Sequence, residues 1–148
     1  MITISIDEVC ETAAEMLDEL AATTPLVHPQ DASTLETDRL LVSVAIDIIG
    51  PFTTTMVVRM EVAGARYLSA AILGESLADV NQSGADETVA ELANVIAGGV
   101  KGLVAEETHL GIPSTAHVVG KLGELEHAQV LDHELGRFEV GLVDLDIV

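Results

Sequence analysis

Glu91 and Asn94 stand one helical turn apart within the stretch from Glu87 to Val104, which is otherwise built mainly of Val, Ile, Leu, Ala and Gly. A carboxylate can dock on a cation. A carboxamide both donates and accepts hydrogen bonds, so it can aim a water molecule without changing protonation state. No other pair in the chain points as directly to chemistry.

The element that positions the pair is a helix running from about Asp86 to Glu106. Each helical residue advances about 100°. On that wheel Val89, Leu92, Ala93, Ile96, Val100, Leu103 and Val104 share one broad face, and Glu87, Glu91, Asn94, Gly98 and Lys101 share the opposite one. The apolar face is expected to pack on a sheet, leaving the polar face for solvent or a partner. Gly98 lies one turn beyond Asn94, so a bare backbone there lets another chain come close to the amide. The pair Gly98-Gly99 is equally compatible with a helix end or a kink, and an exposed Asn with simple solvation.

The rest of the chain supplies the scaffold. Ile6 to Ala21 reads as a helix, with Ser5 as its N-cap and Glu8 completing a capping box. Thr23 to Asp38, with Pro25 and Pro29, reads as a loop. Leu40 to Ile48 and Thr54 to Val62 alternate with period two. Val42, Val44, Ile46 and Ile48 form one inward set and Met56, Val58, Met60 and Val62 another. With Gly50-Pro51 between them, they predict an antiparallel hairpin. Ala63 to Leu73 reads as a helix closed by Gly74, and Glu75 to Ala85 as a polar connection. Pro113 opens a strand from Ser114 to Val119, and Gln129 to His133 with Phe138 to Ile147 reads as a second hairpin turning near Gly136. Helices and strands come in blocks, which predicts an α+β fold, in one domain over residues 1–148.

Composition narrows the function further. The chain has 25 acidic against 6 basic residues, a net charge of −19. That argues against nucleic acid and against anionic membrane surfaces, both of which need clustered Lys and Arg. The acidity fits a saline cytosol, a partner with a basic rim, or solubility alone. Apolar residues make up 49% and aromatics only 2%, so the core must be aliphatic. No apolar run is long enough for a membrane span, no secretory signal is evident, and Cys10 has no partner within the chain, which together predict a cytoplasmic protein. Cys10 is expected as a small buried hydrophobe. His28, His109, His117, His127 and His133 show no metal-ligand spacing, and Ser114 has no nucleophile-elbow context. No metal site is expected.

The stretch from Glu91 through Asn94 and on through Gly98-Gly99 to Lys101 resembles the signature of the CheX-type chemotaxis phosphatases, relatives of CheC and FliY. That signature is Asp or Ser, three residues, Glu, two residues, Asn, then a Gly-containing run. Three further blocks resemble the family in order: the hairpin turn Ile49-Gly50-Pro51-Phe52 and the strand after it to Val58, the helix from Ala65 to Glu75, and the Pro-led strand from Gly111 to Gly120. The likeness spans roughly Leu40 to Gly120. One position departs: Glu87 stands where the family has Asp or Ser, with Asp86 one residue out of register. A second copy of the motif, found on the first helix of CheC-like members, is absent, since Glu11 is followed three residues later by Ala14.

The resemblance implies a substrate, the phospho-aspartyl form of a CheY-like response regulator, with Mg²⁺ on that partner and no cofactor on this chain. It implies Glu91 and Asn94 as the catalytic pair, with Glu87, Gly98 and Lys101 beside them as docking residues. It also implies a homodimer. The alternative is a non-catalytic binding module on the same fold, at a flagellar switch or in other two-component signalling, which the Glu87 departure keeps open.

Overall fold

A computed structural model describes residues 5–23, 40–50, 53–104 and 107–144. The loop expected over Thr23 to Asp38 falls almost wholly outside these, as do Pro51, His28 and the end of the last strand.

Helix α1 (Ile6–Thr23) begins as its cap dictates. Ser5 Oγ accepts from the Glu8 amide at 3.2 Å and donates to Glu8 Oε1 at 3.2 Å. Strands β1 (Leu40–Ile49) and β2 (Thr53–Glu61) form the expected antiparallel hairpin, with Val44 opposite Val58 and Ile46 opposite Met56. Helix α2 (Val62–Leu73) follows directly and closes at Gly74, which takes the left-handed conformation at φ 66° and donates to Ala70 O. Val62, assigned by alternation to the strand, is the first residue of this helix. Its β-branched apolar side chain suits either element, and alternation alone does not mark where a strand turns into a helix.

Helix α3 (Gln82–Lys101) starts four residues earlier than expected and ends sooner. Asn81 sets the start: its side chain accepts from Gly84 N at 2.7 Å, satisfying an orphan amide of the first turn. Of the four added residues only Ala85 is apolar and buried, too little for a hydrophobic period to reveal. The supposed connection from Glu75 therefore holds a short 3₁₀ turn (Leu77–Asp79) and the beginning of α3. At the other end Gly102 N donates to Gly98 O and Gly99 O, Leu103 N and Val104 N bond only three residues back, to Val100 O and Lys101 O, and the α-helix ends. Leu103, placed on the buried face by the wheel, consequently lies 45% exposed, whereas Val104 is buried. The helix passes through Gly98 and Gly99 without ending there.

The remaining strands are β3 (His109–Leu110), β4 (Ser114–Val119), β5 (Ala128–His133) and β6 (Gly136–Asp144). Two residues of β3 are too few to show a period, and this strand was not anticipated. Both β3 and β4 pair with the same edge of β1, β3 opposite Ile48 and Ile49 and β4 opposite Leu40 to Ala45. The break between them is Gly111 to Pro113, with Gly111 N donating to Asp47 O at 2.8 Å. On the other side β2 pairs with β6, and β6 with β5 through a hairpin turning at Gly136. The fold is thus α+β, an antiparallel sheet with helices against it.

One face of the sheet and the inner faces of the helices make the core. Val42, Val44, Ile46, Ile48, Met56, Val58, Met60, Phe138 and Val140 are fully buried against Val9, Ala13, Leu17, Leu68, Val89, Ala93, Ile96 and Val100. Phe138 is the largest side chain among them, and the rest are aliphatic. Cys10 is part of this core; burial first, and nearby Asp7 second, push its thiol up to about 11, so it is not a nucleophile at neutral pH. Polar ties from α1 reach the second hairpin: Gln129 Nε2 donates to Asp7, and His133 Nε2 lies 2.8 Å from Asp18 Oδ1.

Gly99 is where α3 meets α1. A Cβ there would lie 2.7 Å from Thr12 Cγ2 and 3.0 Å from Met16 Cε. Gly99→Ala should therefore destabilise the fold by about 1–3 kcal/mol through overpacking, despite the better helix propensity of Ala. Urea unfolding checks this; an unchanged or raised midpoint would refute the close-packing role.

Candidate functional site

With its apolar stripe on the sheet, α3 turns Glu87, Glu91, Asn94, Gly98 and Lys101 to the surface, and all five are exposed. The sequence-derived face is therefore assembled as one continuous strip. Glu87, Glu91, Asn94 and Lys101 make no side-chain hydrogen bond or ion pair with any described residue. Their neighbours differ in this respect. Asn81 is committed to the helix cap. Thr88 Oγ1 donates to Gly84 O and lies 3.1 Å from Ser69 Oγ. Asn94 thus keeps its amide hydrogens and carbonyl lone pairs available outward.

The departure at Glu87 has a geometric counterpart. Asp86 lies beside β4, where both its carboxylate oxygens are 2.9 Å from His117 Nε2 and Oδ1 also accepts from Gln82 Nε2 at 2.8 Å. Asp86 clasps the edge strand to the helix and takes no place on the exposed strip. Glu87, one turn before Glu91, does. His117 is a strand residue with a partner, where the sequence showed only a histidine within an extended run.

Two shallow depressions flank the strip. One of about 400 Å³ is lined by Glu87, Ala90, Glu91, Asn94 and Pro113. The other, of about 350 Å³, is lined at the helix end by Gly98, Lys101, Gly102 and Val104 and across from them by Glu107, Thr108 and His109. Pro113 and His109 reach the site because β3 and β4 run beside α3, a contact between distant segments that no local pattern announces. Val95, on the rim of the strip and 48% exposed, also went unnoticed; an apolar residue on a helix reads as core until packing is known. Nothing lies within 4 Å of the position a Cβ would take at Gly98, so the helix surface is open there.

Among the described residues no three His, Cys, Asp or Glu side chains come together as a metal-binding group. His109 pairs with Glu107 at 3.7 Å, His117 with Asp86 and His133 with Asp18. No described helix is long and apolar enough to cross a membrane.

This arrangement of strands and helices has known counterparts. The chain superposes on a CheC-like superfamily protein from Shewanella sp. PV-4 with a TM-score of 0.66 at 15% identity, covering 96% of this chain and 98% of that one. The chemotaxis protein CheX from Vibrio vulnificus gives 0.62 at 16% identity, covering 95% and 99%. The CheX of Borrelia burgdorferi, from its complex with CheY, BeF3 and Mg²⁺, gives 0.54 at 16% identity, covering 91% and 96%. At these identities the likeness establishes the fold. No curated protein matches the sequence. The family described as chemotaxis phosphatase CheX matches residues 42–129, more than half of the chain and including the whole exposed strip, so this chain belongs to the CheX chemotaxis phosphatase family.

Proposed function

We propose that this chain dephosphorylates the phospho-aspartyl group of a CheY-like response regulator, with Asn94 positioning the attacking water. The observation that carries this reading is an outward carboxamide, unpaired among the described residues, on a helix held by a buried face, with open backbone one turn away. The CheX of Borrelia burgdorferi in complex with CheY supports a partner of that type.

An acyl phosphate is already labile, so the catalyst needs mainly to hold water in line with the leaving carboxylate. The Asn94 carbonyl accepts a hydrogen bond from the water, whose oxygen attacks phosphorus as the bond to the aspartyl oxygen breaks. Inorganic phosphate leaves, and the proton goes to solvent. Each tenfold acceleration needs only about 1.4 kcal/mol, within reach of one positioned amide. Glu91 is assigned to docking rather than to base catalysis. A carboxylate beside a phosphoryl group is repelled unless a cation lies between them, and the partner's phosphoryl-binding lysine supplies one. Mg²⁺, held in the partner's own site, would offset phosphoryl charge there. The setting is cytoplasmic.

The same reading includes a homodimer. Strand β4 is paired on one side only among the described residues; Ile112, two residues before it, and Val119, its last residue, are 91% and 86% exposed. A second β4 along that edge would cover both. The double variant Ile112→Asp/Val119→Asp should sediment as a monomer where the native chain is a dimer; a native chain that is monomeric at tens of micromolar would rule the dimer out.

Two further outcomes test the site. Asn94→Ala should abolish dephosphorylation while sparing partner affinity, whereas Glu91→Ala should weaken both, by several kcal/mol for a desolvated ion pair. Turnover on the phosphorylated regulator, measured beside binding, separates these, and full activity in Asn94→Ala would sink the water-positioning role. Binding without turnover in the native chain would favour the non-catalytic module. Gly98→Ala should stabilise the fold by roughly 1 kcal/mol, because the Cβ meets nothing and helix propensity improves. It should nevertheless lower turnover, because the added methyl stands where the partner must approach. Thermal unfolding beside an activity assay shows this, and a variant as active as the native chain would mean that close approach is not required.

A further inference from the structure

We infer that Lys101 fixes the direction in which the partner docks, by pairing with a carboxylate that the partner presents at the C-terminal end of α3. This rests on the proposed regulator-binding role of the same strip and specifies what the partner's surface must carry.

The strip is electrically polar. Glu87 and Glu91 stand on its N-terminal half and Lys101 at its end. Lys101 is seven residues beyond Asn94, a rotation that returns to the same face, so the two lie about 10 Å apart along the axis, and Glu91 and Lys101 about 15 Å. In a chain of 25 acids and 6 bases cations are few, and of the two described lysines, Lys101 and Lys121, Lys101 is the one that stands on the exposed strip. Arg137 is held by Asp132, Arg59 donates to Ser43 Oγ, and Arg66 donates to the carbonyls of Leu77 and Val80. Lys101 has no such contact with a described residue, although acidic groups abound. It borders the 350 Å³ depression with Gly98, Thr108 and His109. Thr108 is 2% exposed and its hydroxyl has no hydrogen-bond partner among the described residues, leaving a polar group unmatched in the wall of the same depression. Glu107, on the rim, is turned to His109 at 3.7 Å.

A partner docked in one sense brings its cation to Glu91, its phosphoryl group to Asn94 and a carboxylate to Lys101. Turned end for end, it would set cation against Lys101 and carboxylate against Glu87 and Glu91, and like charges across an interface are strongly disfavoured. The second anion must be a carboxylate rather than another phosphoryl group, because Asn94 already claims the latter about 10 Å away. A lysine suits this task as a mobile point charge on a long stem.

The test uses the full chain and a CheY-like regulator in its phosphorylated form. K101E should raise KM about tenfold or more, with kcat falling far less, and should flatten the dependence of KM on salt; K101Q should show a smaller loss of the same sign. K121E, away from the strip, should behave as the native chain. Reversing the partner's facing carboxylate to lysine should restore KM for K101E and impair it for the native chain. If the native chain is active and K101E leaves KM and its salt dependence unchanged, this inference falls while the phosphatase role stands. If the native chain neither binds nor turns over the regulator, both fall.

Discussion

The seating of α3 on β1 and β2 is the contact on which the remaining structure depends. Val89, Ala93, Ile96 and Val100 are fully buried on one side of the helix while Glu87, Glu91 and Asn94 face outward on the other. Because 3.6 residues make a turn, fixing the apolar side fixes the azimuth of every polar group. The amide of Asn94 is held in place by residues that never touch it. Burial of those aliphatic side chains, at roughly 1.5–3 kcal/mol each for the larger ones, makes the rotational setting costly to disturb. The polar pair rides on a rod anchored in this way, and the connecting segments add only what lines its flanks, Pro113 beside Asn94 and Glu107 and Thr108 beside Lys101.

Much of that setting was legible in the chain. Strict alternation in β1 and β2 exposed the hairpin, Gly74 marked the end of α2, and Pro113 marked the start of β4, all to within a residue or two. The separation of α3 into apolar and polar faces was legible too, since periodicity survives whatever the tertiary partner is. What escaped had non-local or aperiodic causes. The first turn of α3 is specified by the cap at Asn81, with only the small side chain of Ala85 buried there to betray it. Strand β3 exists because β1 offers an edge to it. Leu103 and Val95 are apolar yet exposed, the first because the helix stops before it and the second because no neighbour covers it. At the site, the residue types and spacing of Glu91 and Asn94 were visible, but Pro113 beside them and the engagement of Asp86 by His117 follow from how distant segments meet.

Adjacent residues on α3 answer to separate demands. Asp86 serves the fold, joining the edge strand to the helix, while Glu87 next to it is left unengaged. Gly99 lets α1 come close, whereas Gly98 keeps the outer surface low. Position along the sequence is a poor guide to role here; azimuth decides it. A carboxylate displaced by 100° changes from a surface group into a brace.

The aliphatic character of the interior has an optical consequence. With no Trp, a single Tyr and only two Phe in the chain, the protein is nearly silent in the emission range of indole. Any indole belonging to a molecule that settles on α3 would glow against a dark background, so encounter and departure can be followed in real time with no dye attached to either party.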